Sequence, residues 1–192
     1  MQPEHTHLLT ITQEMRDNAK ANPNTWLHIL DPAFRPGEEV PPHGVIGSFR
    51  VDANGDIDER FEPNPQWRPS PKAAAMPEPE TELERILQRA RTGYEPGEAL
   101  IRAVLNATLL VYAKSPQDRE LAGFQDQVTG QILVAAASSH RYVPEAWPHS
   151  RAIAGRDLVT QLAGCPLLLN PGQKPGAVIS AEHLVEAASL AR

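Results

Sequence analysis

The sequence has a single cysteine, Cys165, among its 192 residues. One thiol makes no internal disulfide and cannot build a cysteine-based zinc site. No apolar run approaches the roughly 18–20 residues that a membrane span needs. The opening segment, MQPEHTHLLTITQEMRDN, has no basic stretch followed by an apolar core, so no signal peptide is read there and a cytoplasmic location is expected. No stripe of Lys and Arg appears, and the formal net charge is −6. Such a chain repels phosphate, so neither a nucleic-acid partner nor an anionic membrane surface is expected.

The signatures of common chemistries are missing as well. There is no H-E-x-x-H and no G-x-S-x-G. Gly44-Val45-Ile46-Gly47 lacks the third glycine of a phosphate loop and enters a strand pattern, not a helix. Asp52, Asn54, Asp56 and Asp58 superficially match a calcium loop, but the positions that need Gly and Glu hold Ile57 and Pro63. Gly55 sits where a hairpin turn wants it. Cys165 is followed by Pro166, which has no N–H, and then by three leucines, which suits an inert buried thiol. His5 and His7 form the only close histidine pair, and Ser138-Ser139-His140 has no acid at a telling distance. The Asn106-Ala107-Thr108 sequon falls at a buried helix-to-strand junction. No catalytic, cofactor-binding or metal-ligating residue is assigned, and a non-enzymatic protein is expected.

What is present is unevenly distributed. Residues 1–96 carry 16 acidic and 10 basic side chains, and residues 97–192 carry 8 of each, so the whole net charge belongs to the first half. Twelve of the 19 prolines lie in residues 1–80. The periodicity of Leu8, Leu9, Ile11, Met15 and Ala19 predicts a helix over 8–21, stopped by Pro23. Trp26–Leu30 reads as a strand, and the breakers in 35–44 as a loop. Val45–Val51 alternates, Asp52–Gly55 is turn chemistry, and Asp56–Phe61 alternates again, which predicts a β-hairpin. Residues 62–80 hold six prolines and read as an extended connector. Trp67 within it is expected to pin the chain to a neighbouring surface, with an exposed partner-binding role as the alternative.

Thr81-x-x-Glu84 opens the second part as a capping box. A helix closed by Gly93 follows, then a helix over 97–107, strands at 108–113 and 132–136, a loop at 142–148 carrying Trp147, a short helix at 157–163, strands at 166–169 and 177–179, and a helix capped by Ser180. This order predicts an α+β fold, a small mixed sheet with flanking helices, plus an N-terminal helix and β-hairpin unit. The expected division is a unit over 1–68, a proline-rich connector over 69–80 and an α+β domain over 81–192.

Two groups of residues carry a resemblance. Leu109-Leu110-Val111-Tyr112, Ile132-Leu133-Val134, Ser138-Ser139, Trp147, Gly155-Arg156-Asp157-Leu158 and above all Leu167-Leu168-Leu169-Asn170-Pro171-Gly172 resemble the SseB amino-terminal-like domain over roughly residues 83–190. The Ala136-Ala137-Ser138 strand end departs from the bulkier residues that family often carries. Met15–Ala19, Ala21–Asn24, Trp26, Ile29–Phe34, Pro41-Pro42, Gly44–Gly47 and Asn64–Pro71 look like actinobacterial type VII secretion system-associated proteins, which join such a front part to an SseB-like part. The resemblance implies a secretion-associated accessory protein that binds a secretion substrate or machine component. It carries over no catalytic residues. The acidic front half admits a second expectation, an immunity-type partner that neutralises a secreted toxin, and an enzyme with an unrecognised site is the third. The residues expected to meet a partner are Trp26, Phe34, Asp52, Asp56, Asp58, Trp67 and Trp147.

Overall fold

The structure is a computed structural model that describes residues 10–35 and 37–190. It is α+β, with five helices and two sheets among the described residues. The chain divides into two compact units after Ala75.

The first unit opens with helix α1, Gln13–Ala21. Residues 8 and 9 of the expected helix lie outside the described residues, and Thr10–Thr12 are not helical. The helix starts where Thr12 caps it, its Oγ1 accepting the Met15 N–H at 3.2 Å. Strands β1, Trp26–Leu30, β2, Val45–Arg50, and β3, Glu62–Pro63, form an antiparallel sheet in the order β1-β2-β3. The core is small: Ala19, Ile46, Phe49 and Val51 are buried.

The predicted hairpin closes differently from its alternation. Asp52 Oδ1 accepts the N–H groups of Asn54 and Asp56, both at 2.8 Å, and Gly55 takes a φ of 75°. Val51 bridges Ile57, but the return chain then leaves the ladder and pairs again only where Glu62 meets Ser48. The detour has a steric reason. A Cβ at Gly47 would stand 2.3 Å from Phe61 Cζ, so the Phe61 ring occupies the space over this glycine and reaches Phe49 at a ring separation of 5.2 Å. Burying that aromatic surface outweighs the lost ladder bonds.

The proline-rich stretch is divided between the units. The Ser70 N–H donates to Asp31 Oδ2, within the first unit. Gln88 Nε2 donates to the Pro77 carbonyl and Arg141 Nη1 to the Glu78 carbonyl, within the second.

The second unit contains α2, Glu82–Arg91; α3, Gly97–Asn106; β4, Thr108–Ala113; β5, Gly123–Gln125; β6, Ile132–Ala137; β7, His149–Ala154; α4, Gly155–Gln161; β8, Leu167–Leu169; β9, Ala177–Ile179; and α5, Ala181–Leu190. The sheet order is β7-β4-β6-β8-β9, with β5 also on β6. Only β6 and β8 run parallel. Strands β5 and β7 are absent from the sequence expectation. His149–Ala154 has weak strand preference, and becomes a strand because it pairs with β4 along its whole length, from Thr108↔Ala154 to Ala113↔His149.

The four helices of this unit share one core with the sheet. Leu87, Val104, Leu158 and Leu184 from the helices meet Leu109, Val111, Leu167 and Leu169 from the strands, all nearly inaccessible. Each such leucine contributes about 1.5–3 kcal/mol by leaving water. Helix α4 approaches α3 so closely that a Cβ at Gly155 would lie 1.8 Å from the Val104 carbonyl oxygen.

Two polar side chains tie this core together. Asn170, fully buried with a φ of 55°, accepts the Ser138 N–H on Oδ1 at 2.8 Å and donates from Nδ2 to the Pro175 carbonyl at 3.0 Å. Thr81 caps α2, accepting the Glu84 N–H at 3.2 Å, but the expected capping box is only half formed, since the Glu84 carboxylate bonds the N–H of Glu80 and not that of Thr81. The Glu84 carboxylate reaches further: it accepts the Glu80 N–H at 2.7 Å and the Ser138 hydroxyl at 3.2 Å. Replacing Asn170 by Ala leaves a buried donor and acceptor unpaired, so Asn170→Ala is expected to destabilise the protein by about 2–4 kcal/mol. Urea unfolding followed by circular dichroism checks this, and a change under about 0.5 kcal/mol contradicts it.

Candidate interaction surface

The face of the first sheet turned away from its core is set by register. Trp26 stands opposite Arg50, His28 opposite Ser48, and Ser48 opposite Glu62. Side chains in register share a face, so Trp26, His28, Ser48, Arg50 and Glu62 lie together. Trp26 is 46% exposed, the only large aromatic among the exposed apolar residues of the described chain. His28 Nδ1 and Ser48 Oγ are hydrogen-bonded at 2.7 Å. Beside them is an open groove of about 400 Å³ lined by Trp26, His28, Ser48, Glu62, Pro63 and Gln66.

The floor of this groove is held by Asn64. Its Nδ2 donates to the carbonyls of Pro42 and Val45, both at 2.7 Å, and its Oδ1 accepts the Gln66 N–H at 3.0 Å. The groove offers an indole face, a hydroxyl–imidazole pair and a carboxylate. That combination suits a polypeptide: an apolar contact flanked by donors and acceptors.

Asp31 positions the other expected contact residues. It is fully buried at the end of β1. Its Oδ1 accepts the Ala33 N–H at 3.0 Å, and its Oδ2 accepts the Trp67 Nε1–H at 3.2 Å and the Ser70 N–H at 2.9 Å. Trp67 is thereby pinned to the unit. Phe34 is half-buried and its ring fills the space beside Gly44, where a Cβ would lie 2.5 Å from Phe34 Cε2. Asp52 braces the turn, Asp56 pairs with Lys20 at 2.6 Å, and Asp58 accepts the Arg60 N–H at 3.0 Å. Trp147 belongs to the second unit, stacked on Phe124 at 6.2 Å and edge-on to Tyr112 at 5.9 Å. Of the seven residues, Trp26 alone lines the groove. His28, Ser48, Glu62 and Gln66 were not anticipated. Their signal is the alternation of Trp26–Leu30 against Val45–Arg50, which identifies a face only once the register is known.

Of the groups held away from their ordinary values, Asp52 is among the residues expected to meet a partner and Tyr142 is buried. The N–H of Asp56 holds the Asp52 carboxyl below the usual carboxylate range; desolvation, the next largest effect, opposes it, and the N–H groups of Asn54 and the Lys20 charge add to the lowering. In the second unit, burial pushes the Tyr142 phenol up, with Arg141 opposing and the charges of Glu84 and Glu80 adding. No group among the described residues stands in hydrogen-bond geometry to the Tyr142 hydroxyl, which belongs to a residue 3% exposed; Arg141 is near enough only to oppose the shift.

No helix among the described residues is long and apolar enough to cross a membrane, and no group of three or more His, Cys, Asp or Glu side chains among them is placed to hold a metal ion. Comparison with protein-family models, with curated proteins and with solved structures finds no match.

Asp31→Ala removes the buried acceptor of the Ala33, Trp67 and Ser70 N–H groups and is expected to cost about 2–4 kcal/mol, whereas Trp26→Ala changes stability by roughly 0.5 kcal/mol or less. Urea titration of both variants separates a structural from a surface role. Tyr142→Phe removes an unpaired buried hydroxyl and is expected to be neutral or stabilising at pH 7. A raised phenol pKa contributes stability below the unfolded-state value near pH 10 that is lost as pH rises through the folded value, so the variant should flatten the alkaline loss of stability above about pH 10. Melting temperatures measured between pH 7 and 11 test both statements.

Proposed function

We propose that this protein is a cytoplasmic, non-enzymatic accessory protein associated with type VII secretion, and that it binds a secretion substrate or machine component through the groove beside Trp26. The reading draws on the resemblance that runs along nearly the whole chain. The observation that carries the docking site is the exposure of Trp26 next to a groove with a rigid, hydrogen-bonded floor. An exposed indole forgoes burial worth about 1.5–3 kcal/mol, and Trp is among the residues that dominate binding energy at interfaces.

The turn that follows β2 favours a second reading. Asp52, Asp56, Asp58 and Glu59 are exposed there, and only Asp56 has a salt bridge at the turn among the described residues. An acidic turn beside an exposed aromatic is also the equipment of an immunity-type protein that covers a basic toxin site.

Affinity purification with the products of a type VII secretion locus tests the first reading. Enrichment of one product, lost at least tenfold in Trp26→Ala, is the expected result. No enrichment, together with normal secretion from a deletion strain, overturns it. Salt-sensitive binding to a neighbouring toxin, with rescue of growth on co-expression, supports the second reading instead.

A further inference from the structure

The outer edge of the first sheet carries an inference that does not depend on the secretion reading. Strand β1 is an edge strand. Its sequence, Trp26-Leu27-His28-Ile29-Leu30, contains no Asp, Glu, Lys, Arg or Pro. Edge strands are ordinarily blunted by charge, by proline or by a covering segment, because their unpaired backbone groups recruit another strand.

The direction of those groups follows from the ladder. Val51 donates its N–H to the Thr25 carbonyl, so residues 25, 27 and 29 turn their backbone groups toward β2. On the other side of β2, Asn64 donates to the Ile46 carbonyl, which places Ile46, Ser48 and Arg50 toward β3; past the bulge between Ile29 and Leu30, the Asp31 N–H donates to the Gly44 carbonyl, so Asp31 again faces β2 and Leu30 does not. The N–H and C=O groups of Trp26, His28 and Leu30 therefore point outward, and no backbone partner for Trp26 or His28 on that side occurs among the described residues.

We infer that this edge pairs with the same edge of a second copy of this chain, antiparallel about a twofold axis at His28. The choice of occupant rests on self-complementarity. In that register His28 faces His28 of the second copy and exchanges both backbone hydrogen bonds with it. Trp26 faces Leu30 of the second copy on one face of the sheet. Leu27 faces Ile29 of the second copy on the other. Every pair except the central one is apolar, no Asp, Glu, Lys or Arg of the strand opposes another, and Leu27 and Ile29, only half-buried in one copy, gain cover. A twofold axis perpendicular to the sheet also keeps the two Trp26 grooves on one side of a sheet twice as wide.

The interface is short, so it predicts a concentration-dependent monomer–dimer equilibrium and not an obligate dimer. Sedimentation velocity on the full chain, from about 1 to 200 µM, tests it. His28→Lys opposes two ammonium groups at the axis without touching the core, and is expected to weaken the dimer about tenfold or more with an unchanged circular dichroism spectrum. His28→Cys, in a Cys165→Ser background, gives the positive test. Cα atoms of a hydrogen-bonded antiparallel pair lie about 5.5 Å apart, within disulfide reach. Oxidation should yield a cross-linked dimer faster than the same treatment of Val128→Cys, at a position 94% exposed and remote in sequence. A chain that stays monomeric throughout this range, or a dimer that His28→Lys leaves unchanged, overturns the inference.

Discussion

One buried carboxylate organises the first unit. Asp31 sits at the end of β1 and accepts three N–H groups, one from its own turn and two from the proline-rich chain more than thirty residues later. A segment with proline at positions 63, 65, 69 and 71 has few backbone donors of its own and forms no long ladder. It is held by side chains instead: Asp31 accepts from Trp67 and Ser70, and Asn64 donates to the carbonyls of Pro42 and Val45. These two clamps supplement a core in which four apolar side chains, Ala19, Ile46, Phe49 and Val51, are buried. The open edge follows from the strand order: β1 is an outer strand, and no strand pairs beyond it among the described residues.

The second unit solves the same problem in another way. Its sheet is large enough for hydrophobic burial to dominate, and its helices share one core with the strands. Polar side chains are used sparingly, at the point where two strands end together. Asn170 after β8 and Glu84 in α2 both meet Ser138 after β6, one at its backbone N–H and one at its hydroxyl. The polar groups gathered there are thus largely engaged in structure. Among the described residues, the one large exposed aromatic side chain, Trp26, lies beside a groove in the first unit.

Much of the order of elements was legible in the sequence because it depends on local terms. Alternation in Val45–Arg50, the breakers around Gly93, the Thr81 cap and the Asn54-Gly55 turn each act within a few residues, and each appears where the pattern placed it. Strands β5 and β7 were not legible. Gly123–Gln125 is too short to show a period, and His149–Ala154 has few strand-forming residues; pairing with β6 and β4 makes them strands. Phe61 shows the converse case. Its alternation is regular, yet packing over Gly47 removes it from the ladder.

By itself the sequence determined the α+β class, most helix and strand positions, the acidic character of the front half and the concentration of proline there, since composition and short-range propensity suffice for these. Tertiary structure alone decided which face of β1 is open and which of the seven residues expected to meet a partner lines a groove. Trp26 and Trp67 are the same residue type in the same unit, each in a segment that ends near proline. One is exposed and the other is bonded to Asp31, because the distinction rests on a carboxylate 36 residues from Trp67 and on strand register. Contacts across that separation leave no periodic trace in the chain that makes them.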